Sequence, residues 1–338
     1  MKRRAVIERG IGETRAAVYE GRRLVELHLD RWSLRALPKK GERWTGQVVT
    51  VDNSVAGAFV HLGAGPDSLL PFKAQGDLPR LTDGMKIDVT ITKEAVADKG
   101  PLVRYAGPAS LVSPGRVTAL SLEDRLTERF PGIAFEEAPV SVIDDATERV
   151  VAVPGGGSIA IEQTQALIAI DVDKGGAERV AELCQSAAMS IMAQLRLRGL
   201  GGLIVIDFPN MRKPKQRSAV LRRLETLGDA DPASVRVAPF SRFGVVEMTR
   251  GQDGPSLDAL RLDRFGEPTV ETRALGALRR LQREGRANPG AKLTLSLPEA
   301  EWNWLETAPF DWREAMTDNL GARFEAVRGD TLDVKADR

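Results

Sequence analysis

Two segments, Ala166-Leu-Ile-Ala-Ile-Asp-Val-Asp173 and Gly201-Gly-Leu-Ile-Val-Ile-Asp-Phe208, carry an apolar, β-branched run out to an aspartate. Runs of this length and composition read as buried strands, so Asp171 and Asp207 arrive at strand exits. Mg²⁺ keeps most of its waters and takes only one or two carboxylates plus phosphate oxygens, so this pair suits phosphoryl chemistry at a phosphodiester. A carboxylate inside an apolar strand costs desolvation unless a positive or hydrogen-bonding group meets it, which marks Asp171 and Asp207 as more than structural. Asp173 falls on the same side of an extended strand as Asp171. It either joins the metal site or caps a helix beginning near Gly176.

Between the two runs, Ala177 to Arg198 places apolar residues at Val180, Leu183, Ala187, Ile191 and Leu195, a helical period that ends at Gly199 to Gly202. Strand, helix, strand is a βαβ unit; its crossover makes the strands parallel and brings both aspartates to one edge. Directly after Asp207, the stretch Phe208 to Arg217 holds Arg212, Lys213, Lys215 and Arg217. Read as a loop beside a metal, it offers four cations to the phosphates of a bound strand; read alone, it is a solvated charge run. Arg196 and Arg198 sit where a helix C-terminus favours cations. Val151 to Glu162 reads as a hairpin turning at Pro154 to Gly157; a phosphate-cradling loop would need a helix to follow it.

The chain has two histidines, His28 and His61, each in an apolar-alternating segment and expected to point outward from a strand. A paired-histidine acid/base site is therefore not expected, and a metal-activated water is the simpler route. Across 338 residues, 48 Lys and Arg against 47 Asp and Glu give a net charge of +1, so a nucleic-acid surface must be a local basic face. The single cysteine, Cys184, excludes an intramolecular disulfide framework and any zinc site with two thiolates from one chain. No apolar run approaches the roughly 18 residues of a membrane span and the N-terminus lacks a sustained apolar core, so a cytoplasmic protein is expected.

The elements around this centre are strand-rich. Alternation predicts strands at Arg4 to Glu8, Thr14 to Tyr19 and Arg23 to Leu29. Five more follow, at Arg43 to Asp52, Ala56 to Leu62, Ser68 to Phe72, Lys86 to Lys93 and Leu102 to Tyr105, the spacing of a small OB-type barrel. On it Phe59 and Phe72 are candidate stacking platforms, Phe59 first, and Lys73, Lys93 and Lys99 candidate phosphate contacts; the rings would otherwise fill the barrel. Ser121 to Phe130 is a helix with a Ser121/Asp124 capping pair. Further helices are expected at Arg217 to Leu227, Thr269 to Glu284 and near Pro298 to Leu305, and strands at Ser234 to Ala238, Val245 to Met248, Ala291 to Leu297 and within Arg323 to Val334.

Pro154-Gly-Gly-Gly-Ser-Ile-Ala-Ile-Glu162, the two aspartate strands, Gln194-Leu-Arg-Leu-Arg198 and Ser241-Arg-Phe-Gly-Val-Val-Glu-Met-Thr-Arg250 together resemble, in order and spacing, the catalytic core of the ribonuclease E/G family. Trp44-Thr-Gly-Gln-Val with Gly57-Ala-Phe-Val-His-Leu-Gly63 is similar to its OB-type RNA-binding insert. The resemblance implies Mg²⁺-dependent internal cleavage of single-stranded, AU-rich RNA with 5′-phosphate products. It places the metal-binding aspartates on Asp171 and Asp207, and on Asp173 a position that is asparagine in the family. It also implies RNA contacts at Phe59 and Lys99, and Arg242 joins Arg212, Lys213, Lys215 and Arg217 in the RNA-binding set. The family's second insert aromatic falls on Leu69. The segment from Gly107 to Val150 is compressed, without a recognisable 5′-monophosphate sensor. Leu262-Asp-Arg-Phe-Gly-Glu-Pro-Thr269 stands where the family has a cysteine pair, so a zinc-linked dimer is not expected, which leaves a homodimer through another interface open.

The expected fold class is α+β: a split ribonuclease-H-like subdomain (1–37, with its remainder and a linker at 108–150), an inserted OB-type barrel (38–107), an α/β catalytic domain (151–266) and a small α+β C-terminal domain (267–338). The expected function is a Mg²⁺-dependent endoribonuclease; the alternatives are a non-catalytic RNA-binding protein assisting ribosomal RNA maturation and, third, a nuclease acting on DNA.

Overall fold

The computed structural model describes residues 2–73, 78–97, 99–211 and 213–337. Alternating apolar residues produce β1 (Arg3–Arg9), β2 (Glu13–Glu20) and β3 (Arg23–Arg31). There follow β4 (Arg43–Asp52), β5 (Gly57–His61), β6 (Ser68–Pro71), β7 (Lys86–Lys93), β8 (Leu102–Pro108) and β9 (Gly115–Thr118). Next come α1 (Leu122–Arg129), β10 (Ala134–Glu137), α2 (Val142–Asp145), β11 (Val150–Ala152), β12 (Ser158–Gln163) and β13 (Ile168–Asp173). The chain continues through α3 (Val180–Arg198), β14 (Gly202–Asp207), α4 (Pro214–Asp229), β15 (Val235–Val237) and β16 (Val245–Arg250). It ends with α5 (Leu257–Arg261), α6 (Val270–Ala287), β17 (Lys292–Leu297), α7 (Glu299–Thr307), α8 (Trp312–Leu320), β18 (Phe324–Arg328) and β19 (Asp333–Asp337). The mixture is α+β, and two compact units share it. One comprises residues up to Ala17, His28–Val140 and the chain from Asp258; the other comprises Val18–Leu27 and Ser141–Leu257. Among the described residues no helix is long and apolar enough to cross a membrane.

In the first unit, β4 pairs with β5, β5 with β6, β6 with β8, β8 with β7 and β7 with β4, a closed circuit of pairings. Trp44, Val48, Ala58, Val60, Leu70, Ile87, Val89, Ile91 and Val103 fill its interior. β9, short and largely polar, adds to β4 and was not signalled by periodicity. β10 pairs parallel to β1 although all four of its residues are exposed, so it carries no alternation to read. The Ser121/Asp124 capping box forms as expected. β17, flanked by β18 and β19, shares a core with α6, α7 and α8 built on Leu275, Leu278, Leu281, Leu293, Leu295, Leu305 and Trp312.

Glu13 is the charged centre of this unit. Its side chain is 1% exposed, and it accepts from Arg15 Nε at 2.7 Å, Arg31 Nε at 3.4 Å and Arg279. Arg31 also donates to Glu271 at 3.0 Å and Thr272 Oγ1 at 2.8 Å. Burial pushes the Glu13 carboxyl up, but Arg279, Arg15 and Arg31 outweigh it and hold it below its ordinary 4.5.

The second unit is a six-stranded sheet in the order β11-β12-β13-β14-β16-β15. β13 and β14 are parallel, as the βαβ reading requires; their neighbours are antiparallel. Ile168, Ile170, Val172, Ile204 and Ile206 face a core with Leu183, Cys184, Ala187, Ile191 and Leu195 of α3 and Val220 and Leu224 of α4. Gly199, at φ +66°, ends α3 in the left-handed conformation that glycine adopts without penalty. The cations near that end are structural: Arg196 pairs with Glu20 (3.1 Å) and Glu26 (3.2 Å), and Arg198, 1% exposed, donates to Gln194 Oε1 (2.9 Å) and the Glu148 carbonyl (2.6 Å).

Because Glu13 titrates lower in the folded chain than in the unfolded one, its stabilisation is complete above pH 4.5 and fades as pH falls through the depressed value. Glu13→Gln removes the carboxylate that three arginines share and is expected to cost about 3–5 kcal/mol at pH 7. Melting temperatures of variant and wild type should differ at pH 7 and converge as pH falls below 4.5 through the depressed value; equal values at pH 7 would contradict the assignment.

Candidate active site

Parallel pairing puts Ile168 beside Ile204, Ile170 beside Ile206 and Asp171 beside Asp207. Neighbouring strands lie about 4.8 Å apart, so the two carboxylates start from adjacent backbone positions at one sheet edge. Side chains alternate along a strand; with Ile170, Val172 and Ile206 buried toward the helices, Asp171 and Asp207 take the opposite, exposed face. Both aspartates are open to solvent, so the desolvation cost expected of a carboxylate in a buried strand does not arise. Among the described residues neither carboxylate has a hydrogen-bond or ion-pair partner.

An open cleft of about 510 Å³ lies over this edge, lined by Asp171, Val172, the run Asp207 to Met211, Arg217, Phe240 and Arg242 to Gly244. Of the expected cations it gathers two. The structure corrects the picture of Phe208 to Arg217 as one loop: Pro214, whose fixed φ suits the first helical position, opens α4, so Lys215 and Arg217 belong to its first turn. Arg217 donates from Nε to the Met211 carbonyl at 3.2 Å and stacks its guanidinium 5.7 Å from the centre of the Phe240 ring, which holds it in the cleft wall. Lys213 and Lys215 are exposed and do not line the cleft. Arg212 lies outside the described residues. Arg242 enters from the turn joining β15 to β16.

Asp173 does not line the cleft. Its Oδ1 accepts from the Gly175 N–H at 2.9 Å, a local turn. Nor does it cap a helix, because α3 starts at Val180, about four residues later than the cap reading placed it, with Arg179 at the N-cap. The turn around it is wedged by the glycine hairpin of β11 and β12, which is a hairpin as expected. A Cβ on Gly157, at φ +79°, would stand 2.3 Å from the Asp173 carbonyl oxygen.

In the other unit, Phe59 is half-buried on β5 between Thr50 and Leu69, on the face opposite the buried Ala58 and Val60. Phe72, partly buried, packs against the interior cluster. Lys99 is exposed in a tight bridge with Val96. His61 pairs with Asp67 at 2.9 Å.

Sequence reasoning passed over Asn210, Phe240 and Phe243, all in the cleft lining. Phe240 packs on Phe208, ring centres 6.1 Å apart, and so supports the wall. The signal available for Phe243 was an aromatic beside a glycine in a turn, where polar residues are usual.

The donor set fits a divalent cation of the Mg²⁺ kind. Among the described residues no group of three or more His, Cys, Asp or Glu converges on one point, while two adjacent, unpartnered carboxylates are what an ion that retains its waters takes.

Residues 118–253, which contain every cleft residue, match the profile of the Ribonuclease E/G family. Over 124 residues the chain is 43% identical to Ribonuclease E of Escherichia coli K12, covering 35% of this chain and 12% of that one. Ribonuclease E of Synechocystis is 36% identical over 164 residues (46% and 23%), and that of Nostoc 33% over 198 residues (55% and 28%). Over this segment the chain is similar to the ribonuclease E/G family. It spans no more than 28% of the length of these relatives.

Gly157→Ala places a β-carbon in conflict with backbone and at a φ that alanine avoids. It is expected to cost at least about 1 kcal/mol and to lower the melting temperature; an unchanged value would show that the 154–157 turn does not brace the Asp173 segment.

Proposed function

We propose that this cleft hydrolyses single-stranded RNA internally with Mg²⁺, leaving 5′-phosphate ends, in RNA processing or decay. The observation that carries this reading is the in-register pair Asp171 and Asp207 on the exposed face of two parallel strands, with Arg217 and Arg242 in the same cleft. The similarity to proteins named Ribonuclease E supports it.

Asp171 and Asp207 would hold the ion through carboxylate oxygens. When bound, Mg²⁺ supplies Lewis-acid polarisation of the phosphodiester and a more acidic water. Arg217 and Arg242 would neutralise the phosphate as it approaches two carboxylates, and stabilise the charge that grows on its equatorial oxygens during in-line attack. Water adds to phosphorus, the bond to the 3′-oxygen breaks, and that oxygen leaves with a proton. The upstream fragment ends in a 3′-hydroxyl and the downstream one begins with a 5′-phosphate. In this reading the closed β4–β8 circuit is an OB-type, RNA-binding barrel presenting Phe59 and Lys99, and the β10-β1-β2-β3 sheet is the ribonuclease-H-like subdomain.

A second reading, a non-catalytic RNA-binding protein, draws on Asp173. It stands where the resemblance expects asparagine, and its carboxylate is spent on the Gly175 turn. Cleavage created only by Asp173→Asn would favour it.

On a 5′-labelled, AU-rich single-stranded RNA, Asp171→Asn, Asp207→Asn and chelation are each expected to abolish cutting while RNA binding stays within a few-fold. Unchanged cleavage in either variant would remove the site assignment. Arg217→Ala should lower kcat/KM by about 10- to 150-fold, the worth of one charge-assisted contact. Lys213→Ala and Lys215→Ala, outside the cleft, should stay within about 3-fold, as exposed charges do.

A further inference from the structure

Phe243 is 94% exposed, the most exposed of the large apolar side chains among the described residues, yet it lines the same cleft as Asp171 and Asp207. Its backbone is not loose. The Gly244 N–H donates to the Ser241 carbonyl at 3.0 Å, the Ser241 N–H to the Val245 carbonyl at 2.8 Å, and the Phe243 N–H to Ser241 Oγ at 3.3 Å. Gly244, at φ +89°, closes the turn. The ring is therefore presented from a fixed turn joining two paired strands, with its faces open. The other cleft aromatics are committed: Phe240 lies between Phe208 and the Arg217 guanidinium.

An apolar ring held out of the core at the edge of a cationic cleft is a surface for a flat, apolar-faced group attached to an anion, and a nucleotide supplies both. Every base has a π-face, so stacking on such a ring tolerates sequence but requires an unpaired base. Arg242, next in the chain, stands beside it for the attached phosphate. We propose that Phe243 is the base-stacking platform of the cleft. It takes one unpaired base next to the phosphodiester seated at Asp171 and Asp207, and so restricts the site to single strands. The inference rests on the nucleic-acid reading of the cleft but not on its hydrolytic activity.

The test uses the full chain with Asp207→Asn, so that binding is read without cutting, and a 12-nucleotide single-stranded RNA. A set of the same RNAs carries one abasic nucleotide moved along the strand. Phe243→Ala should weaken binding of the intact RNA by about 5- to 150-fold, the range for loss of one stacked base. Phe243→Trp should restore it. One abasic position should reproduce the loss in the Phe243 protein and cause no further loss in Phe243→Ala. In the otherwise native chain, the same abasic position should lie at a fixed distance from the cut. Affinity unchanged by Phe243→Ala, or abasic losses that remain fully additive with it, would overturn the proposal. So would a Phe243→Ala effect confined to self-association in sedimentation, which would assign the ring to a protein contact. RNA binding with the expected coupling but without cleavage in the native chain would retain the platform and refute the hydrolase reading, so the two fail separately.

Discussion

The site depends on the register between β13 and β14. A slip of one residue would turn one aspartate into the core and leave the other without its neighbour. What fixes the register is burial on the far face: Ile168, Ile170, Val172, Ile204 and Ile206 pack on α3 and α4. Each buried aliphatic side chain contributes about 1.5–3 kcal/mol, so the five together are worth on the order of 10 kcal/mol. Two carboxylates about 5 Å apart repel by about 1 kcal/mol in water and about 3 kcal/mol at an effective dielectric of 20. Packing wins, and a pair of like charges is held together on the open face without a positive partner among the described residues. A bound cation would relieve that repulsion, so under the proposed function the fold would contribute to metal binding.

The same economy divides the cations. Arg196 and Arg198 are spent on carboxylates, an amide and a carbonyl within the second unit, and Arg250 on Asp231 at 3.0 Å. Arg217 and Arg242 remain at the cleft, the first braced by the Met211 carbonyl and the Phe240 ring. A chain of net charge +1 thus presents a local positive wall beside a local negative edge. An anionic strand that meets both must be seated by position, because long-range attraction from the whole molecule is small.

The strands of the aspartate edge were legible because apolar runs of about six residues with a polar exit have few other solutions, and the helix between them because its period is unbroken. β10, with Ala-Phe-Glu-Glu all exposed, has no alternation to read; its place is set by pairing with β1. β9 is short and defined by β4. α8 lay in a stretch to which no element was assigned, although Asp311 caps it, accepting from the Arg313 and Glu314 N–H groups. At the site, the identity of the aspartate pair was readable but its exposure was not, since the exposed face depends on where α3 and α4 pack. Pro214 marked the start of α4 and was read as loop. The occupation of Asp173 by Gly175, and the standing of Phe243 clear of the core, are tertiary outcomes with no periodic signature.

The central claim, that Asp171 and Asp207 form one cation site through their register, is tested most directly by Mn²⁺ titration followed by water-proton relaxation. The titration would use wild type, Asp171→Asn, Asp207→Asn and the double variant. A shared site predicts one tight ion in the wild type, loss in each single variant, and no further loss in the double. Binding that survives in the double variant, or single losses that simply add, would contradict it.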